Sequence, residues 1–161
     1  MFYKQKINFL LVIFAFFCLA IPVLGGEQVP FKGTLTGQVV GVTPVDDSHL
    51  LFDVLLSGNA TQLGKFTGEG QVIQNTEDGS YVGSYTWRAA NGDTVSGTFV
   101  GQLIPTQTPG VFDNIETTLV TGGTGRFSGG VGSTTAGGQL DMTTGSFLFP
   151  FEGTISSVGQ N

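Results

Sequence analysis

Cysteine and histidine are scarce in this chain of 161 residues, and each scarcity excludes a class of chemistry. The one cysteine, Cys18, lies in an apolar N-terminal segment, so the rest of the chain has no thiol for a disulfide or for nucleophilic catalysis. The one histidine is His49, and a catalytic zinc site needs more histidine or cysteine ligands than that. The adjacent acids Asp46 and Asp47 are more typical of a solvated turn than of a calcium site. We therefore expect no bound metal and no cofactor.

Basic residues are few as well. Six of them stand against twelve acidic residues, for a formal net charge of −6. Two of the six, Lys4 and Lys6, lie in the N-terminal segment, so without that segment four basic residues remain and the net charge is −8. A chain this acidic, with no basic cluster, is unsuited to a phosphate backbone or an anionic membrane surface. We expect neither nucleic acid nor membrane as a partner.

The first 25 residues have the pattern of a secretory signal peptide. Lys4 and Lys6 supply positive charge ahead of the apolar stretch Ile7–Leu24, and Val23-Leu24-Gly25 offers small or modest side chains for a signal peptidase. We predict cleavage after Gly25 or Gly26. The protein would then be exported, secreted or periplasmic, with one domain over residues 27–161.

Two other interpretations of this segment are a retained membrane anchor and a lipid anchor. Its length nearly suffices to span a bilayer, but Pro22 and the following glycine pair break a helix where a cleavage site is extended. A lipid on Cys18 would need small residues before it, and Phe16 and Phe17 stand there instead. We favour the cleaved signal peptide.

Downstream of Glu27, residues that favour helices never cluster at helical spacing. The chain instead alternates apolar and polar side chains with a period of two between turn residues, which predicts strands. Eight segments follow this pattern: Val29–Val42, Leu50–Gly58, Lys65–Ile73, Tyr81–Ala89, Thr94–Ile104, Phe112–Thr121, Phe127–Gln139 and Ser146–Ser156.

Short connections between these segments favour an all-β fold, a single eight-stranded antiparallel up-and-down β-barrel. Closure would remove the exposed edges of the sheet, and glycines within the strands suit a strongly coiled sheet. A β-sandwich and a repetitive glycine-rich surface protein are the alternatives. The sequence has no fixed period of the kind that a solenoid requires.

Two motifs of known enzyme classes are incomplete. No nucleophile elbow of the Gly-x-Ser-x-Gly type lies between a strand and a helix, and a lone histidine is a poor base for a catalytic triad. The run Gly122–Gly125 resembles a phosphate loop but lacks the final Lys-Ser/Thr and a following helix. We interpret it as a glycine-rich hairpin in which Arg126 donates to turn carbonyls.

Catalytic candidates reduce to three strand carboxylates and one phenol: Asp53, Asp113, Glu116 and Tyr85. Strand periodicity divides the carboxylates between faces, because Asp113 shares a face with Ile115 while Glu116 shares one with Asn114. A carboxylate that faced an apolar interior would have a raised pKa and could serve as a general acid or base. An exterior position is the more common outcome for each of them.

Aromatic side chains recur on one face of the fourth, fifth and last segments. We expect this face to line the barrel lumen, either as a packed core or as a site for an apolar ligand. Small residues on the same faces, Gly83, Gly97 and Gly101, could leave room for a ligand or could serve only to bend the sheet. The predicted lumen residues are Tyr81, Tyr85, Trp87, Phe99, Phe147, Phe149 and Phe151.

Four blocks of the chain resemble a known family. They are Phe31–Gly37, Ala60–Thr67, Thr121–Ser133 and Phe151–Ser156, and the most specific is Gly-Gly-Thr-Gly-Arg-Phe over residues 122–127. In this order they resemble the bacterial allene oxide cyclase barrel-like family, whose fold is shared with plant allene oxide cyclases and dirigent proteins. Gln62 departs from the family pattern, which often has histidine there. The resemblance implies an eight-stranded barrel, often oligomeric in the plant relatives, with a cavity for an apolar small molecule, and it transfers no catalytic residue.

Three functional hypotheses follow. The first is an exported, non-enzymatic barrel that binds a hydrophobic small molecule or serves as a structural module. The second is a cyclase or isomerase that acts on an apolar substrate in the lumen through one carboxylate or Tyr85, without metal or cofactor. The third is an adhesive or matrix protein that uses the outer faces of the barrel. A homo-oligomer is compatible with all three.

Overall fold

The computed structural model describes residues 26–156, so the predicted signal peptide over residues 1–25 lies outside the described residues. Nine strands and one short 3₁₀ turn, Gly125–Phe127, make up this part of the chain. The strands are β1 Gln28–Pro30, β2 Gly33–Pro44, β3 His49–Ala60, β4 Gly64–Asn75, β5 Ser80–Ala89, β6 Thr94–Pro105, β7 Val111–Gly123, β8 Gly132–Asp141 and β9 Ser146–Ser156. Among the described residues, no helix is long and apolar enough to cross a membrane.

Strands β2 to β9 form a closed, eight-stranded antiparallel barrel. Each strand pairs with the next in sequence, and β9 also pairs with β2, from Gly33 opposite Phe151 to Gln38 opposite Ser146. The short strand β1 pairs with the last residues of β9, beyond the point where Gly33 begins the pairing of β2 with the same strand. The predicted all-β barrel is confirmed, with one additional strand.

The predicted first strand, Val29–Val42, is wrong in one respect, because the strand is interrupted at Phe31 and Lys32. Phe31 turns into the barrel, where it is 1 % exposed and packs against the rings of Trp87 and Phe151. The Lys32 amide donates to the Thr61 hydroxyl (3.0 Å) rather than to a neighbouring strand. Burial of one aromatic ring therefore divides the strand in two.

The predicted seventh strand began at Phe127, whereas β8 begins at Gly132. Phe127 has no exposed surface, and it closes the barrel end from within the 3₁₀ turn. Gly125 (φ +58°) and Gly129 (φ +69°) supply the left-handed backbone that this compact turn requires. Phe127 and Val131 fit the period of a strand, but the Phe127 ring is buried in the end of the barrel and the strand begins after it.

Aromatic rings inside the barrel lie opposite glycines of the neighbouring strand. The directly paired positions are Gly37 and Phe147, Gly58 and Phe66, Gly68 and Trp87, Gly83 and Phe99, Gly97 and Tyr85, and Gly101 and Tyr81. A Cβ atom at any of these glycines would overlap the facing aromatic side chain. A small residue opposite each large one is how a barrel this narrow accommodates so many rings.

Room for a ligand was one of the two alternatives considered for the inward glycines of β5 and β6. The space above Gly83, Gly97 and Gly101 is not free for a ligand, because Phe99, the Tyr85 hydroxyl and Tyr81 occupy it.

The lumen is packed at one end and hollow at the other. The end that carries the β3–β4, β5–β6 and β7–β8 connections, here called the closed end, holds four side chains that are 0–1 % exposed: Phe31, Val95, Phe127 and Ile155. The end that carries the β2–β3, β4–β5, β6–β7 and β8–β9 connections, here called the cavity end, is less filled. The barrel interior is therefore a packed core at the closed end and a cavity at the cavity end.

Candidate functional site

A cavity of about 100 Å³ occupies the lumen toward the cavity end. This volume is several times the roughly 10–15 Å³ that one water molecule needs, so there is room for more than isolated waters. Apolar and aromatic side chains form most of its wall. The lining residues are Leu35, Val39, Phe52, Val54, Leu56, Gly70, Val72, Gln74, Tyr81, Tyr85, Trp87, Phe99, Leu103, Asn114, Glu116, Thr118, Leu140, Phe147 and Phe149.

Trp87 separates the cavity from the closed end. Its ring stacks on Phe66 at 4.8 Å between centroids and lies 4.7 Å from the ring of Tyr85. Phe151 lies 5.3 Å from Trp87, within the packed cluster of the closed end, and does not line the cavity. The other six predicted lumen aromatics line it, and a ligand-binding role for them stays a prediction.

Glu116 is the predicted carboxylate that faces inward. As a residue it is of intermediate exposure, but its carboxyl group lies on the cavity wall and both oxygens are hydrogen-bonded. Tyr81 Oη lies 2.8 Å from Oε2, and the Thr118 hydroxyl donates to Oε1 at 3.1 Å. Burial raises the pKa of Glu116 above its ordinary value, although the hydrogen bonds from Tyr81 and Thr118 oppose the shift.

The hydrogen bonds around Tyr81 bear on the protonation state of Glu116. Tyr81 Oη also lies 2.6 Å from Asn114 Oδ1, so one phenolic proton faces two acceptors. Every contact is satisfied when neutral Glu116 donates to Tyr81 and Tyr81 donates to Asn114. Rotation of the Asn114 amide by half a turn would instead suit an ionised Glu116, with the amide nitrogen donating to Tyr81. The cluster Glu116–Tyr81–Asn114 can thus hold or release one proton, as a general acid or base must.

Asp53 and Asp113 lie on the outside of the barrel. Each is held by a glutamine on the adjacent strand: Gln71 Nε2 donates to Asp53 at 2.9 Å, and Gln139 Nε2 donates to Asp113 at 3.1 Å. In both cases the partners are directly opposite in the register. Their strand parity points them away from the cavity, so the structure does not bring either carboxylate to Glu116.

Three buried polar atoms of the cavity wall have no hydrogen-bond partner among the described residues. They are the Tyr85 hydroxyl, Trp87 Nε1 and Asn114 Nδ2, on side chains that are 5 %, 4 % and 3 % exposed. Burial and the nearby Glu116 carboxylate raise the pKa of Tyr85, which therefore stays protonated as a donor. Strand parity places both Asn114 and Thr118 on the face of Glu116, which is the signal in the sequence that could have identified them as parts of the site.

Asp46 and His49 are hydrogen-bonded to each other at the β2–β3 connection, outside the cavity lining. Asp46 accepts hydrogen bonds from the Ser48 amide and from His49 Nδ1 (2.8 Å), and these contacts lower the pKa of Asp46 to about 2. No group of three or more His, Cys, Asp or Glu side chains within residues 26–156 is arranged to hold a metal ion.

The glycine-rich block leads into the 3₁₀ turn that closes one end of the barrel. Arg126 Nε donates to the Asp93 carboxylate at 2.8 Å, so the expectation that it would bind turn carbonyls is wrong. The reason is tertiary, since the β5–β6 turn carries Asp93 next to the 3₁₀ turn. Gln62, where the resembling family often has histidine, lies in the β3–β4 turn at the closed end and is absent from the cavity lining.

Comparison of the structure with solved proteins identifies dirigent proteins as structural neighbours. The pterocarpan synthase dirigent protein PsPTS1 aligns with a TM-score of 0.54 and 15 % identity over 84 % of this chain and 99 % of its own. The pterocarpan synthase dirigent protein GePTS1 aligns with a TM-score of 0.53 and 15 % identity over 83 % of this chain and 93 % of its own. At this identity the likeness establishes the dirigent-type barrel fold. No family model matches the chain, and no curated protein matches it in sequence.

Proposed function

We propose that this protein binds a small, largely apolar molecule in the lumen of its barrel. The observation that carries the proposal is the cavity of about 100 Å³, which has an apolar wall and a small polar cluster on one side. Concave sites of this composition are typical of small-molecule binding. The names of both structural neighbours associate this fold with the synthesis of a small organic compound, which is consistent with the proposal.

Trp87 provides a direct assay, because it is the one tryptophan of the chain and it lines the cavity. We expect 1-indanone and its parent hydrocarbon indane to change Trp87 fluorescence saturably. Val72→Phe, which adds a ring inside the cavity, should abolish the change. The matched control is Val82→Phe on the next strand, where the valine is 52 % exposed on the outer face, and this variant should bind as the parent does. Saturable binding that survives Val72→Phe in a folded protein would contradict a lumen site.

A second candidate function is that of an isomerase or cyclase that moves a proton on its bound ligand. The specific observation in its favour is Glu116, a carboxyl with a raised pKa beside Tyr81 on the cavity wall. Perturbed carboxyls in apolar clefts are typical of acid–base catalysts. The candidate needs no metal or cofactor.

Deuterium exchange tests this second candidate. In D₂O, a general acid and base in the cavity should accelerate deuterium incorporation at C2 of 1-indanone, which is measured by NMR. Glu116→Gln should bind 1-indanone but lose the acceleration. Asp113→Asn, which changes a carboxylate on the outer face, should keep it. Equal rates in the parent and in Glu116→Gln would exclude proton transfer by Glu116.

We further propose that the chain belongs with the bacterial allene oxide cyclase barrel-like family and is exported. Support comes from the four resembling blocks, which fall on β2, on the β3–β4 turn, on the β7–β8 connection and on β9, all within one barrel. Export is supported by the charged and apolar pattern of residues 1–25. Protein recovered from outside the cytoplasm should begin at Gly26 or Glu27 on N-terminal sequencing. An intact Met1 there would contradict cleavage.

A further inference from the structure

Three side chains that line the cavity each carry a buried polar atom with no hydrogen-bond partner among the described residues. Trp87 Nε1 can only donate, Asn114 Nδ2 is a free donor in the amide orientation that suits neutral Glu116, and Tyr85 Oη carries one further proton. A buried donor without a partner is destabilising, so native proteins rarely contain three that line one cavity. The one part of the molecule that they share is this cavity.

We propose that the cavity recognises an uncharged ligand through an acceptor oxygen of the carbonyl or ether type, which receives hydrogen bonds from Tyr85 and Asn114. This inference rests on the proposed binding of a small molecule in the lumen and specifies its chemistry. Trp87, which also lines the cavity, carries a third unpartnered donor in its indole N–H. The apolar remainder of the wall holds the carbon skeleton.

The charges of the wall favour a neutral ligand. Its lining contains no lysine, arginine or histidine, so a buried carboxylate on the ligand would have no compensating cation. Glu116 is the one carboxyl group of the lining, and it carries no charge when it holds its proton toward Tyr81. An ammonium group on the ligand would then be buried without a counter-ion.

A panel on one carbon skeleton tests the proposal by Trp87 fluorescence. We expect 1-indanone to bind at least about tenfold more tightly than indane, since one of the two proposed hydrogen bonds contributes about tenfold. Indane-1-carboxylate and protonated 1-aminoindane should bind more weakly than 1-indanone. Tyr85→Phe and Asn114→Leu should each reduce the preference for 1-indanone over indane several-fold. Tyr85→Phe keeps the ring, so it remains informative if Asn114→Leu fails to fold.

The outcomes separate the two proposals. Equal affinities for 1-indanone and indane, both abolished by Val72→Phe, would overturn the acceptor proposal and leave lumen binding intact. Tighter binding of either charged analogue than of 1-indanone would overturn the neutral specificity. Binding of neither 1-indanone nor indane would overturn the proposed function itself, and the acceptor proposal with it.

Discussion

The sharpest prediction concerns two tyrosines that lie on the same strand and face the same lumen. Tyr81 Oη is hydrogen-bonded to Asn114 and near Glu116, whereas Tyr85 Oη is buried without a protein partner. Tyr85→Phe removes a hydroxyl that contributes nothing to protein–protein hydrogen bonding. The same change at Tyr81 removes a bonded one and leaves its buried neighbours unpaired. The two substitutions should therefore have opposite effects on the free energy of unfolding.

The magnitudes follow from the burial of each hydroxyl. An unsatisfied buried polar group is destabilising by about 1–3 kcal/mol, and we take the lower end for Tyr85 because the adjacent cavity has room for water. Tyr85→Phe should then raise the free energy of unfolding by about 1 kcal/mol, or the Tm by about 3–5 °C for a domain of this size. Tyr81→Phe should lower the free energy of unfolding by about 1–3 kcal/mol.

Urea unfolding followed by circular dichroism, together with thermal melts, measures both changes under one condition. Similar m-values would show that the comparison concerns stability rather than a change of the unfolded state. If Tyr85→Phe is as destabilising as Tyr81→Phe, the Tyr85 hydroxyl is paired in the folded protein. That result would refute the conclusion that the Tyr85 hydroxyl has no hydrogen-bond partner.

Two further predictions concern Glu116 and the glycines that face aromatic rings. Because the folded state raises the pKa of Glu116, the folded state binds its proton more tightly than the unfolded chain does. That stabilisation is complete below the unfolded pKa of about 4.3 and is lost as the pH rises through the folded value. Between the unfolded and the folded pKa, the free energy of unfolding of Glu116→Gln should therefore rise relative to that of the parent. The difference should grow by up to about 1.4 kcal/mol per pH unit, as measured by urea unfolding. Gly83→Ala should lower the free energy of unfolding by about 1–3 kcal/mol, because its Cβ would overlap Phe99 and the Gln71 carbonyl oxygen.

Each of these has a control within the barrel. The four aspartates with a lowered pKa, Asp46, Asp78, Asp93 and Asp141, are present in both Glu116→Gln and the parent. Their opposite pH dependence therefore cancels when the two stabilities are subtracted. A difference that does not change with pH would contradict the raised pKa of Glu116. For the glycine, the control is Gly137→Ala on β8, whose Cβ would have one close neighbour, at 3.4 Å. If both alanines are tolerated equally, steric exclusion by Phe99 is not what keeps position 83 small.

Local pattern was sufficient to predict the strands of this protein. Alternation with a period of two, with turn residues between the segments, located most of the barrel strands to within a few residues. The same parity placed Asp113 and Glu116 on opposite faces, because successive side chains of a strand point to opposite sides. Parity alone does not say which face is inside. That choice depends on the neighbouring strands, and here it turned Glu116 inward and Asp113 outward.

Four properties depend only on composition and local spacing, so the sequence determined them by itself. They are the all-β class, the alternation within each strand, the acidic charge and the scarcity of cysteine and histidine. The tertiary structure decided how the barrel interior is used. Phe31 and Phe127 leave the strand pattern to plug one end, because the register brings Trp87, Phe151 and Ile155 there to receive them. At the other end, the pairing of β5 with β6 and of β6 with β7 brings Tyr81 to Asn114 and Glu116, which lie more than 30 residues further along the chain, on one cavity wall. Contacts over such separations are set by strand closure, which no local pattern encodes.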